Sequence, residues 1–215
     1  MCLIALSVEK SKDWQGKDSY FFKIVANRDE YHERQTTGMH WWPNQSILAG
    51  RDEVAGGTWL GTNREGKFAA ITNLKENNNN KYQVSRGSLV TGFLESQLSA
   101  KAYLEDLEAE KEEYAGFNLI VGDKNGLFYL CNRLEGIFFI SEGTHALGNL
   151  TLNASTKKAE AIKHDLNDIL HEGFTAEKAF NVMKKEYGNL HEKTKKELQI
   201  RDGEEIPYRF IRSPI

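Results

Sequence analysis

Cys2 stands directly behind the initiator methionine in Met1-Cys2-Leu3-Ile4-Ala5-Leu6. Removal of Met1 would give one residue both a thiol nucleophile and an α-amine able to act as its base. The reference pKa values of the two groups lie close together, about 8.5 for the thiol and about 7.7–8.0 for the amine. An N-terminal amine beside the nucleophile is a known way of activating a weak nucleophile. The plainer alternative is a small apolar residue opening a buried strand.

Three further strings place groups that such a nucleophile needs. Ala26-Asn27-Arg28-Asp29-Glu30 sets four polar residues at the end of a hydrophobic stretch. Strand alternation places Asn27 and Asp29 on one face and Arg28 on the other, where the acid and amide would orient the amine. Asn73 closes a second apolar stretch, expected to lie beside the first strand. Its side-chain N–H is aimed at a developing oxyanion, a donor worth about 2.7–4 kcal/mol of barrier. In Thr144-His145-Ala146-Leu147-Gly148-Asn149, Gly148 permits close backbone approach just before another amide. Each asparagine on its own reads equally as a turn residue.

The elements that must carry these groups follow from hydrophobic periodicity. Cys2–Val8 and Tyr20–Arg28 read as strands, and Thr58–Asn63 with Lys67–Leu74 reads as a hairpin turning at Gly66. Asn77–Asn80 belongs to a polar loop reaching about Ser85, and Met39, His32, His40, Trp41 and Trp42 to another loop. Ala100, Tyr103, Leu104 and Leu107 form one helical face. Phe117–Gly122 and Leu127–Asn132 form a second hairpin, followed by short strands at Gly136–Ile140 and Thr144–Leu147. Two helices close the chain, with stripes Ala159, Ile162, Leu166, Ile169 and Ala176, Ala179, Phe180, Met183, Tyr187, the second stopped by Gly188. The order strands, helices, strands, helices excludes a simple parallel βαβ sheet. It predicts an α+β fold, a four-layer αββα sandwich of two stacked, mainly antiparallel sheets.

Composition bounds the function. At 215 residues the chain suits one domain spanning 1–215. The net charge of −3 carries no basic cluster for nucleic acid, and two cysteines make no disulfide framework. The short apolar start lacks a basic leader and ends at Glu9-Lys10-Ser11-Lys12-Asp13. No signal peptide or membrane span is expected, and a cytoplasmic location follows. The six histidines show no pairing or motif of a metal site.

The opening Met-Cys, Asn27–Glu30, Gly57-Thr58-Trp59-Leu60-Gly61 and His145–Asn149 resemble the NRDE-motif family, also called transport and Golgi organisation protein 2-like. The resemblance implies the N-terminal-nucleophile (Ntn) hydrolase fold and, by likeness to the bile-salt hydrolase and penicillin V acylase group, the set Cys2, Asn27, Asp29, Asn73 and Asn149, with Arg28 beside it. In that group an arginine stands three residues before the aspartate; here that position is Ala26. The chain also stops at 207–215, before a Tyr-Gly-Thr-Arg strand usual in the family. The completeness of the catalytic set and of one sheet edge is thereby left open. Two functions are implied. One is a Cys2-dependent amidohydrolase acting on a small acyl-amide, which requires no cofactor. The other is a non-catalytic carrier of haem or an amphipathic lipid or metabolite, tied to Golgi and mitochondrial homeostasis.

Overall fold

The computed structural model describes residues 2–12, 15–16, 18–28, 30, 33–43, 46–76, 82 and 84–184. Asp29, His32, the four-asparagine tract and the end of the last helical stripe, Tyr187 and Gly188, lie outside them. Two antiparallel sheets stack face to face. The smaller has the order β10-β1-β2, built from β10 (Gly143–Leu147), β1 (Cys2–Lys12) and β2 (Asp18–Arg28). The larger runs β3-β4-β5-β6-β7-β8-β9. Its strands are β3 (Thr36–Trp41), β4 (Ile47–Asp52), β5 (Leu60–Asn63), β6 (Phe68–Asn73), β7 (Phe117–Asp123), β8 (Gly126–Cys131) and β9 (Phe138–Ile140).

Strand alternation sorts the apolar residues into three separate cores, and these define the four layers. Ile4, Leu6 and Val8 of β1 meet Phe68, Ala70, Ile120 and Leu127 between the sheets. The intervening residues Leu3 and Ala5 point the other way, onto Ala159, Ile162 and Leu166 of α3 (Lys157–His171) and Val182 and Met183 of α4 (Ala176–Met183). On the opposite outer face, α1 (Gly87–Glu95) and α2 (Ala100–Glu108) cover Ile47, Ala49, Leu119 and Val121 of the larger sheet. The expected four-layer α+β sandwich is therefore the observed fold. Helix starts are fixed by hydroxyl caps: Ser99, Thr156 and Thr175 accept from the backbone N–H of Ala102, Ala159 and Lys178.

Two expectations are corrected. The strand ending at Asn73 does not lie beside β1; β6 pairs with β5 and β7 in the other sheet and faces β1 across the sandwich. The segment around Trp41 and Trp42 is not a loop but the β3–β4 hairpin, with a one-residue register shift between Thr37 and His40. Its mixed polar and aromatic composition hides the strand period, which the bulge also interrupts. No helix among the described residues is long and apolar enough to cross a membrane.

Candidate functional site

The two sheets part at the N-terminal end of β1, leaving a cavity of about 1320 Å³. Cys2, Asn27, Arg28, Asn73 and Asn149 all line it. Its apolar walls include Phe22, Ile24, Leu48, Leu60, Phe68 and Ile71. Cys2 is half-buried and is in no disulfide.

Register decides which of these groups face one another. Cys2 stands directly opposite Arg28, and Leu3 opposite Asn27. Cross-strand partners share a face, so Arg28, not Asn27, looks the same way as the thiol. The side chain of Asn27 donates to the Met183 carbonyl of α4 at 2.9 Å, on the helix side of the sheet. The expectation that Arg28 faces away from the site is thus reversed: counting back from Asp29 gave the period but not which face Cys2 takes.

Arg28 is held by acids. Its guanidinium donates to Glu30 Oε2 at 3.0 Å and to Asp52 Oδ2 at 3.2 Å, and Arg34 Nε donates to the same Asp52 oxygen at 2.7 Å. The other Asp52 oxygen accepts the backbone N–H groups of Val54 and Ala55. Burial alone would push this carboxyl up, but the bond from Arg34 and the backbone donors outweigh it and hold it below the usual aspartate range. Asp52 ties Arg28 and Arg34 to the end of β4. Sequence reading passed it over, although an aspartate followed by Gly56-Gly57 is a turn signal.

Asn73 and Asn149 come from different sheets and meet. Asn149 Nδ2 donates to the Asn73 carbonyl at 2.7 Å, and the Lys75 N–H donates back to the Asn149 carbonyl at 2.9 Å. The Asn149 side-chain oxygen is buried and has no donor among the described residues. A buried acceptor left open costs about 1–3 kcal/mol unless a further donor satisfies it. Asn149 therefore presents an acceptor to an incoming N–H, besides the remaining hydrogen of its amide nitrogen.

A buried relay places that loop. Thr72 Oγ1 donates to the Gly148 carbonyl at 2.7 Å. Asn118 Nδ2 donates to Thr72 Oγ1 at 3.2 Å and to the Leu150 carbonyl at 2.9 Å. Tyr129 OH donates to Asn118 Oδ1 at 2.7 Å and accepts from the Leu152 N–H at 3.2 Å. Thr72, Asn118 and Tyr129 are each at most 3% exposed, and desolvation pushes the Tyr129 phenol up. Polar residues at core positions of apolar strands are the signal that could have found them.

Arg86, just before α1, also lines the cavity and donates to the Gly116 carbonyl at 2.9 Å. Burial lowers its pKa, while Glu76 and Cys2 pull it back up.

His145 is structural. Its Nε2 meets the Ser141 carbonyl and its Nδ1 meets the Asn153 amide, both at 2.9 Å. His40 Nδ1 bonds the Gly38 carbonyl. For a haem, the sulfur donors in the lining are Cys2, Met39 and Met183, and the walls are apolar enough to take its ring.

An αββα sandwich of two stacked antiparallel sheets is the fold of Ntn hydrolases. Among solved structures, the Caenorhabditis elegans ortholog of N-acylethanolamine-hydrolyzing acid amidase matches with a TM-score of 0.53 over 86% of each chain, at 11% identity. That likeness carries the fold. A family model described as Transport and Golgi organisation 2 matches residues 1–213, and the chain belongs to that family. The Transport and Golgi organization protein 2 homologs of Bos taurus and Homo sapiens are 34% and 33% identical over 168 residues, 74% of this chain and 60% of theirs. An uncharacterised Saccharomyces cerevisiae protein is 37% identical over 122 residues, 48% of this chain and 38% of its own. The matches thus span about 60% of the length of the mammalian relatives.

Proposed function

We propose that the chain is a cysteine amidohydrolase acting on a small acyl-amide. After loss of Met1, the Cys2 thiol gives its proton to its own α-amine and adds to the amide carbonyl. The C–N bond breaks, the amine leaves with that proton, and water hydrolyses the thioester to release the acid and regenerate the thiol. Asn73 donates to the oxyanion. The open oxygen of Asn149 accepts an N–H of the α-amine or of the substrate. Asp29 has the role that the family resemblance implies for it, orienting the amine. One observation carries this reading: Cys2, Asn73 and Asn149, from β1, β6 and the loop after β10, line the same cavity.

The test joins intact-mass measurement with turnover. The purified protein is expected to lack Met1. It is expected to release laurate from N-lauroylethanolamine or N-lauroylglycine, and Cys2→Ala to release none. Retained Met1, or equal release by Cys2→Ala, would overturn the reading.

The size of the cavity and its thioethers Met39 and Met183 favour one second reading, a carrier of haem or a similar amphipathic ligand. Hemin titration would then give a Soret band that shifts in Met39→Ala or Met183→Ala. An unchanged spectrum counts against it.

A further inference from the structure

The cavity is cationic in a chain of net negative charge. Among the described residues, Arg28, Arg34, Arg51, Arg86 and Lys184 line it, against Glu30 and Asp52. Arg28 and Arg34 spend their charge on those two acids. Arg86 lies in the field of Glu76. Arg51 differs from these three arginines. It forms no ion pair among the described residues, and its Nε is buried without an acceptor.

Its surroundings leave it that way. Arg51 stands opposite Thr37, which also lines the cavity. Glu53, two residues along, gives its carboxylate to Thr37 Oγ1. The guanidinium stacks over Trp42, 5.2 Å from the ring centroid, and the Trp42 indole N–H is a second buried donor without an acceptor. Two orphaned donors on one stacked pair are unusual, since buried donors are nearly always satisfied. Both lack the same thing, an acceptor, and a guanidinium fork suits a planar or tetrahedral oxyanion.

We propose that Arg51 anchors an oxyanion, a carboxylate or a phosphate, carried by the ligand of this cavity. The ligand is then an acidic molecule whose apolar part lies between the sheets, not a neutral amide alone. The proposal rests on reading the cavity as the ligand site but not on hydrolysis.

Binding of dodecanoate, dodecyl phosphate and dodecanol to the full chain, below their micellar concentrations, tests it. The anions are expected to bind at least about tenfold more tightly than the alcohol, the order of a charge-assisted hydrogen bond. Arg51→Met should abolish that difference and Arg51→Lys should keep part of it. Dodecyl phosphate well ahead of dodecanoate assigns a phosphate, and parity or the reverse assigns a carboxylate. Anions binding no better than dodecanol, or a preference surviving in folded Arg51→Met, overturns the proposal. If Arg51→Met does not fold, the indole N–H resonance of Trp42, assigned with Trp42→Phe, decides. It should shift with dodecanoate and not with dodecanol, and no shift overturns the proposal. Anion preference without amide turnover would sink the hydrolase reading alone; turnover without anion preference would sink this one alone.

Discussion

The two ends of the inward face of β1 obey different rules. From Ile4 to Val8 every inward residue is at most 2% exposed and belongs to the hydrophobic cluster between the sheets. At Cys2 the same face meets arginine, carboxamides and a cavity. The dry end holds the sheets together by burial, which is indifferent to direction. The polar end is held by directed bonds: Arg28 to Asp52, Asn149 to Asn73, and Thr72 to Gly148. The lesson is a division of labour along a few residues of one strand. Area gives the fold its stability, and geometry gives the site its shape.

Truncating the dry end should break the fold. Leu6→Ala removes a fully buried side chain from the inter-sheet core and should cost about 2–5 kcal/mol in chemical denaturation. A cost below 1 kcal/mol would show that the sheets are not packed as described. The relay at the boundary should come next. Tyr129→Phe leaves the Asn118 oxygen and the Leu152 N–H without their partner, a loss of about 1–3 kcal/mol, and amide turnover should fall with it as the Asn149 loop loosens. Turnover unchanged at that stability loss would separate the relay from the site.

Acid should then tell the polar end from the dry one. The folded pKa of Asp52 lies below its unfolded value, about 3.9, so the unfolded state binds its proton first as pH falls. Its contribution is complete above that value and disappears as pH drops through the folded pKa. Asp52→Asn should therefore be less stable than wild type at pH 6, with the gap closing below about pH 4. A gap independent of pH would refute the role given to Asp52. The smallest change in stability is expected at Cys2→Ala, within about 0.5 kcal/mol because the thiol is half-buried beside open volume, although turnover should vanish.

The layers were readable from the sequence because alternation and helical period are strong where cores are apolar, as in Phe117–Gly122 and the stripe from Ala159 to Ile169. Cys2, Asn73 and Asn149 were readable as polar groups at or near strand ends, and they line one cavity. The β3–β4 hairpin was not, since Thr36–Trp41 carries a bulge and no apolar alternation. The helix α1 went unseen as well: it begins with Gly87 and holds Gly92, both poor helix formers, and is fixed by burying Leu89, Val90, Phe93 and Leu94. Arg51, Asp52 and Arg86 gain their meaning only from residues distant in the chain. Local spacing carries no trace of those pairings.

The Thr72 to Gly148 bond links the two sheets one residue before Asn73 and Asn149, and Asn118 and Tyr129 brace it from behind. A brace of that kind sets the spacing of the two carboxamides when the chain folds, before any ligand arrives. A pair already in place leaves little ordering for binding to do.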